Sequence, residues 1–240
     1  TLATEMQYSD ASGRTIKLLQ DCNRQLYAYD NKGKVYIYNK DQDAFILKYN
    51  LLNLLGRSTV LNELLVDSKG NFWLALDHGL YWLQASVDEK EISQEKAKGK
   101  YILKNIYINH IQFVGQKLLV GTSKDVYQYS LVSLKMEKKL NGFSVVSSYH
   151  DRVAHQIWLG TFHLGVLVLD DRTWNPVSMV DFGSLLKIPQ IPARSIIPYK
   201  NDALLMAVDG AGIYAFDRVS KQTHLILDTE GRPGSVLKGN

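Results

Sequence analysis

The chain has 240 residues, of which 45% are hydrophobic and 22% charged, and its formal net charge is +4. These values are typical of an ordinary globular protein and argue against extensive disorder. No apolar run reaches the roughly 18 residues that a membrane-spanning helix needs, so we expect contact with a membrane only through flanking regions. The positive charge is too dispersed for the basic stripe of a nucleic-acid-binding protein, so we expect no nucleic acid as a partner.

One unit of short strands and turns recurs five times along the chain. Each copy has an apolar strand, a polar turn, a second apolar strand ending in small residues, a further turn and a third strand. The second strands centre, in chain order, on Leu26, Trp73, Leu119, Trp158 and Leu205. They recur about every 45 residues, which leaves room for a fourth strand. Candidates for the fourth strand are Ala44–Tyr49, Lys135–Leu140, Val177–Val180 and His224–Leu227.

Four short strands repeated at this interval are typical of a β-propeller blade. We therefore predict an all-β fold, a single β-propeller segment over residues 1–240 with about five complete blades of four antiparallel strands. The repeats lie at approximately 15–50, 60–103, 106–141, 143–181 and 193–228. Leu51–Leu55 is predicted to connect into the second blade, and the mixed-charge run Glu95–Lys100 to be a solvated loop.

A small residue near the end of the second strand is predicted to be a structural requirement of the fold. The small residues are Ala28, Ala75, Gly121, Gly160 and Ala207. Because blades converge towards a common axis, a large side chain there would clash with its neighbours. Trp73 and Trp158 stand two residues earlier on the same face, and we expect them to fill the space between adjacent blades.

Both ends of the chain are interpreted as cut. Thr4–Tyr8 resembles the outer strand of a preceding blade, and Asp228–Asn240 resembles the connection into a further one. This predicts an arc of a larger propeller, whose unpaired strands and apolar faces would favour self-association as a homodimer.

The string Asp67–Ala75, followed by Gly79–Tyr81, is similar to the two-component regulator propeller repeat. The pattern of that family is roughly Asp-x-x-Gly-x-apolar-Trp-apolar-Gly-Thr, then Gly-Leu and an aromatic residue. Ile157–Thr161 matches its second half, and Leu119–Thr122 is similar but lacks the Trp. The first and fifth repeats lack both the Trp and the Gly-Thr pair.

This resemblance implies the periplasmic input module of a hybrid histidine kinase, the extracytoplasmic part of an inner-membrane protein of the kind found in gut Bacteroidetes. Its ligand would be an oligosaccharide or another small glycan-derived signal. The kinase would lie outside this chain, so we predict that this segment is not an enzyme. Two alternatives remain: a propeller that serves as a protein-interaction scaffold, and a glycan-cleaving enzyme that assembles acids and histidines from several blades.

The loops that follow the second strands are predicted to hold the ligand, because propellers form concave sites at their loop-bearing faces. Carboxylates, imidazoles and an aromatic ring suit sugar hydroxyls and the C–H face of a sugar. The candidate ligand-binding residues in these loops are Asp77, His78, Phe162, His163 and Asp209, and a sixth candidate, Arg194, lies just before an inner strand, where we expect it to face the central channel. Ser123 and Lys124 lie in an equivalent loop. Each of these residues also fits a solvated turn.

No catalytic, cofactor or metal site is predicted. The single cysteine, Cys22, excludes an internal disulfide and a zinc site of paired thiolates. His150, Asp151 and His155 lack metal-binding helical spacing and are predicted to be exposed around a hairpin turn. Gly210–Gly212 is predicted to be a strand connection and not a phosphate loop, because no helix follows it.

Overall fold

The computed structural model describes residues 8–9, 14–51, 58–84, 99–180, 192–200 and 202–230. The regular elements in these ranges are all β-strands. The strands form five antiparallel sheets, and in each sheet every strand is hydrogen-bonded to the next in sequence. The predicted propeller architecture, five blades of four antiparallel strands, is confirmed.

Blade 1 contains β1 (Tyr8–Ser9), β2 (Thr15–Gln20), β3 (Leu26–Asp30), β4 (Lys34–Asn39) and β5 (Ala44–Asn50). Blade 2 contains β6 (Leu61–Val66), β7 (Phe72–Leu76), β8 (Gly79–Leu83) and β9 (Gly99–Lys104). Blade 3 contains β10 (Ile108–Val114), β11 (Lys117–Thr122), β12 (Asp125–Ser130) and β13 (Met136–Asn141). Blade 4 contains β14 (Val145–Asp151), β15 (Gln156–Thr161), β16 (Val166–Asp170) and β17 (Pro176–Val180). Blade 5 contains β18 (Ala193–Tyr199), β19 (Ala203–Val208), β20 (Gly212–Asp217) and β21 (Thr223–Leu227).

The chain divides into two compact units, Thr1–Ile111 and Gln112–Asn240. In the first unit, a hydrophobic cluster joins one face of blade 1, including Tyr27 and Tyr29, to a face of blade 2 that includes Phe72. In the second unit, one cluster joins blades 3 and 4, and a second joins blades 4 and 5. Each core is therefore a layer of alternate side chains between two facing sheets.

The hairpin between β6 and β7 shows why its sequence folds as it does. Asp67 Oδ1 accepts the backbone N–H groups of Lys69 and Asn71, at 2.9 and 3.0 Å, and Gly70 adopts the positive φ of 81° that the turn requires. Asp67 Oδ2 accepts the Asn71 side-chain amide and the Trp73 indole N–H, at 2.9 and 3.2 Å. One carboxylate thus shapes the turn and holds the buried Trp73.

The same arrangement in blade 1 corrects our alignment of the first repeat by one residue. Asp21 caps its turn in the same way and accepts a hydrogen bond from the Tyr27 hydroxyl at 3.3 Å. Tyr27 is therefore the equivalent of Trp73, whereas Leu26, which we had aligned with Trp73, is 37% exposed. It follows that Tyr29, and not Ala28, occupies the position of the small residues.

The predicted need for a small residue near the end of the second strand holds at Gly121 and Gly160. A Cβ on Gly160 would lie 2.2 Å from the Ala193 carbonyl oxygen of the next blade, and one on Gly121 would lie 2.9 Å from Val145 Cβ. Trp158, which is 2% exposed, lies in the cluster between blades 4 and 5 as predicted. Trp73 is fully buried.

The predicted fourth strands of blades 1, 3, 4 and 5 are confirmed, but two loop and end predictions change. Gly99 and Lys100, predicted as solvated loop, belong to β9, and the rest of that run lies outside the described residues. Tyr8 and Ser9 pair with Ile16 and Thr15 of β2, so Tyr8 extends blade 1, and residues 4–7 of the predicted outer strand lie outside the described residues. Leu51 is buried, and residues 52–55 and 231–240 lie outside the described part.

Candidate ligand-binding site

A β-bulge positions the first of the candidate residues. In β18, Ala193 pairs with Val208 and Ser195 pairs with Ala207, so Arg194 is the extra residue and has no partner in β19. A register shift of the same kind occurs in β6 and β14. Because a bulge redirects a side chain out of the regular alternation, it gives Arg194 a direction that a regular strand would not.

Arg194 is brought against Asp209 and Phe162, and Phe162 in turn contacts His163. Its Nε and Nη2 atoms donate to Asp209 Oδ2 at 3.0 and 2.8 Å, and its guanidinium carbon lies 5.5 Å from the centre of the Phe162 ring. The rings of Phe162 and His163 meet edge to face with centroids 4.6 Å apart. Four of the six predicted residues therefore form one cluster, in which the side chains of Arg194 and Asp209 are each 50% exposed.

Backbone hydrogen bonds hold the loops of this cluster in place. The Phe162 amide donates to the Ser144 carbonyl at 2.8 Å, and the Asp209 amide donates to the Pro192 carbonyl at 3.0 Å. Thr161, which is buried, donates through its hydroxyl to Gly165 O and accepts from Leu164 N, both at 2.8 Å. Thr161 therefore closes the loop that presents Phe162 and His163.

The cluster combines a ring with polar atoms that can take part in further hydrogen bonds. Within the described residues, Arg194 Nη1 and Asp209 Oδ1 have no hydrogen-bond partner. The guanidinium, which lies near the partly exposed Phe162 ring, therefore keeps a donor and its partner Asp209 keeps an acceptor for a ligand. Such a set can bind two neighbouring hydroxyl groups while the ring contacts C–H groups.

The other two predicted residues lie in the first unit, with a partner that sequence reasoning missed. His78 Nδ1 lies 2.7 Å from Asp77 Oδ1, and its Nε2 lies 2.6 Å from the Tyr101 hydroxyl. Burial, with a contribution from Asp77, raises the pKa of Tyr101, so its hydroxyl stays protonated at neutral pH. Tyr101 belongs to β9, 23 residues from His78, and no local motif indicates their contact.

A buried ionic pair was also missed. Glu63 Oε2, on β6, accepts the Ile111 amide at 2.7 Å and lies 3.0 Å from His110 Nδ1. Burial by itself raises the pKa of Glu63, but His110, Lys17 and the Ile111 amide favour the carboxylate, and together they bring this pKa below its ordinary value. Alternation in β6 could have indicated a buried Glu63, but not its partners on another strand.

The remaining sequence predictions have mixed outcomes. Ser123, Lys124 and Cys22 lie in exposed turns, as predicted. His150 and Asp151 are not exposed: Asp151 is 4% exposed and pairs with Arg218, and His150 Nε2 lies 2.9 Å from Asp171 Oδ2. The long side chain of Arg218 reaches over from blade 5, which the hairpin sequence could not show.

Two kinds of feature are absent from the described residues: a membrane-spanning helix and a metal site. None of the described elements is a helix able to cross a bilayer. In the same ranges, no three His, Cys, Asp or Glu residues are arranged to bind a metal ion.

The chain is similar in structure to the extracellular domain of the putative one-component system BT4673 from B. thetaiotaomicron, with a TM-score of 0.57, 15% identity and coverage of 91% of this chain and 40% of that one. A second structure, described as the extracellular domain of the putative hybrid two-component system BT4673 from B. thetaiotaomicron, has a TM-score of 0.57 and 16% identity, covering 89% and 37%. The computationally designed protein Ika8 has a TM-score of 0.59 and 10% identity, covering 90% and 62%.

No protein-family model matches the sequence, and no curated protein matches it either. The chain spans about 40% of the length of the BT4673 structures. At these identities the similarity establishes a shared fold, so the chain has the fold of a region within the extracellular domains of a two-component system.

Proposed function

We propose that this chain is an extracytoplasmic sensor module of a two-component system, part of a hybrid histidine kinase, and that it binds an oligosaccharide at the cluster of Phe162, His163, Arg194 and Asp209. The similarity to the extracellular domains of BT4673 supports the sensor role. The observation that carries the site is the bulge at Arg194, which brings the guanidinium, a carboxylate and an aromatic ring together.

The arrangement favours binding over turnover. Asp209 is already paired with Arg194 through one oxygen, and within the described residues no second carboxylate forms an ion pair with this arginine. A pair of carboxylates flanking the scissile bond is what most glycan-cleaving enzymes require. A sensor needs only a ligand whose affinity differs between two arrangements of the protein.

Calorimetric titration of the whole chain with a panel of plant and host oligosaccharides tests the proposal. We expect saturable binding by wild type and at least tenfold weaker binding by Phe162→Ala and Asp209→Asn. The control is Val132→Ala, because Val132 is 76% exposed in the turn between β12 and β13, and it should bind like wild type. Chromatography of the incubated oligosaccharides should show no cleavage.

Two outcomes would contradict this function. Cleavage products that disappear in Asp209→Asn would identify a glycan-cleaving enzyme. Absence of binding to every oligosaccharide by a wild-type chain that is folded by circular dichroism would favour the interaction scaffold.

A further inference from the structure

The outer strand of blade 1 exposes apolar side chains, whereas the edge strands of proteins usually carry charges or proline. β5 is the last strand of its sheet, and three consecutive apolar residues on it are exposed: Phe45 by 40%, Ile46 by 42% and Leu47 by 46%. An edge strand presents unpaired N–H and C=O groups, so an apolar one can pair with an added strand.

The outer strands of blades 3 and 4 carry the usual protection against such pairing. β13 contains Glu137, Lys138 and Lys139, and β17 begins with Pro176. Charges and proline are the residues with which natural edge strands avoid unwanted pairing. β5 has a single charge, Lys48, in seven residues, and among the described residues no further strand pairs with its outer edge.

A groove of about 920 Å³ lies beside this edge. It is formed where the β2–β3 and β4–β5 hairpins turn, and its apolar lining includes Leu26 and Ile46. The Gln25 side-chain amide donates to the carbonyl oxygens of Leu26 and Tyr38, at 3.1 and 3.0 Å. These bonds hold the two hairpins together, so the groove is preformed.

The charge of the groove selects an acidic occupant. Arg24, Lys40 and Lys48 line it, with Asp41 as the one carboxylate among its lining residues. Within the described part of the chain, none of the three cations forms an ion pair, whereas Arg14 of the same blade is paired with Asp30. Unpaired cations around an apolar floor are complementary to a segment that carries both carboxylates and apolar side chains.

We propose that blade 1 binds an extended acidic segment of a partner protein, which adds as a strand to the free edge of β5. Its backbone pairs with β5, its apolar side chains lie beside Ile46, and its carboxylates meet Lys48 on β5 and Lys40 in the β4–β5 turn. This is strand addition, in which backbone hydrogen bonds give affinity and alternate side chains give specificity. A second copy is disfavoured, because pairing β5 with β5 would bring two sets of these cations together.

Fluorescence anisotropy with three labelled, end-capped ten-residue peptides tests this interaction on the whole chain. One peptide alternates Glu with Val, the second alternates Lys with Val, and the third is the Glu–Val peptide with alternate backbone amides N-methylated. We expect saturable binding of the first peptide, and at least tenfold weaker binding of the second and third. The double variant Lys40→Glu/Lys48→Glu should bind the Glu–Val peptide at least tenfold more weakly than wild type.

The matched control is Lys135→Glu, a charge reversal at an exposed turn of blade 3, which should bind like wild type. No binding of the Glu–Val peptide, equal binding of the N-methylated peptide, or an equal loss in Lys135→Glu would overturn the proposal. A wild-type dimer in sedimentation that Ile46→Glu converts to monomer would assign the edge to a second copy. Dextran sulfate that binds through Lys40 and Lys48 when the Glu–Val peptide does not would assign the groove to a polyanion.

Discussion

Asp67 accepts a hydrogen bond from the indole of Trp73, with 3.2 Å between Oδ2 and Nε1, while its other oxygen caps two backbone amides of the same turn. The Asp and the Trp of the repeat are thus one structural unit. Replacing Asp67 by Ala leaves these donors without their acceptor, and we expect the free energy of unfolding to fall by about 1–3 kcal/mol.

Chemical denaturation of Asp67→Ala, Trp73→Phe and the double variant measures this coupling. Because Trp73→Phe already removes the indole donor, the double variant should lose less stability than the sum of the single losses. Additive losses would show that the carboxylate and the indole act independently.

Two of the buried tryptophans, Trp73 and Trp158, should respond differently to the same conservative change. Trp158 Nε1 is buried and has no partner in the described residues, so Trp158→Phe exchanges an unsatisfied donor for an apolar ring. Trp73→Phe gives up the bond to Asp67 and should be the more destabilising of the two. Thermal unfolding of both variants checks this order.

Full truncation of Trp158 is a separate case. Trp158→Ala opens a cavity between blades 4 and 5, where the indole lies 5.7 Å, between centroids, from the Phe216 ring. We expect a loss of about 3–5 kcal/mol. A loss below about 1 kcal/mol in chemical denaturation would mean that the side chain is not packed between the blades.

Gly160→Ala should destabilise the chain more than Gly121→Ala. The added Cβ on Gly160 would lie 2.2 Å from both the Ala193 carbonyl oxygen and Ser147 Oγ, whereas that on Gly121 would lie 2.9 Å from Val145 Cβ and 3.0 Å from the Val145 carbonyl oxygen. Because the contacts at Gly160 are much shorter, we expect about 1–3 kcal/mol for overpacking at Gly160 and less at Gly121. The reverse order in denaturation midpoints would contradict the close approach of β18.

These hairpins explain how much of the fold was predictable from the sequence. Asp21 and Asp67 specify the first turns of blades 1 and 2 through local hydrogen bonds to the backbone, so the hairpin order can be predicted from nearby residues. The alignment of the first repeat failed because it matched Leu26 to Trp73 by hydrophobicity. Tyr27 is the equivalent of Trp73 because its hydroxyl contacts Asp21, as the Trp73 indole contacts Asp67. This contact depends on the direction of the side chain and not on its hydrophobicity.

The candidate site was predictable in its residues but not in its geometry. Loop position indicated Phe162, His163 and Asp209, but the contact of Arg194 with them depends on a bulge, and a bulge depends on register with a neighbouring strand. The contacts of Tyr101 and Glu63 could not be predicted from the sequence for the same reason. Their partners are close in space and distant in sequence.

Glu63 makes stability depend on pH in the acid range. Its pKa is lowered in the folded state, so the ionised carboxylate stabilises the fold above the unfolded pKa of about 4.3, and this contribution is lost as pH falls through the folded pKa. Wild type should therefore exceed Glu63→Gln in stability at pH 7, and the difference should shrink as the pH falls below the unfolded pKa of about 4.3. Urea unfolding at several pH values measures it, and a difference independent of pH would show that the charge of Glu63 does not stabilise the fold.

Two arginine–aspartate pairs of the second unit should separate stability from binding. Arg218 pairs with Asp151, whose side chain is 5% exposed, and Arg218→Ala would leave that carboxylate buried without its cation, at an expected loss of about 3–5 kcal/mol. Arg194 and Asp209 are half-exposed, so Arg194→Ala should change the free energy of unfolding by less than about 1 kcal/mol. Denaturation and oligosaccharide titration of both variants test whether Arg194 contributes to binding and not to stability. A folded Arg194→Ala chain that no longer binds the oligosaccharide would place the ligand at the bulge. A variant that binds like wild type would exclude Arg194 from the site.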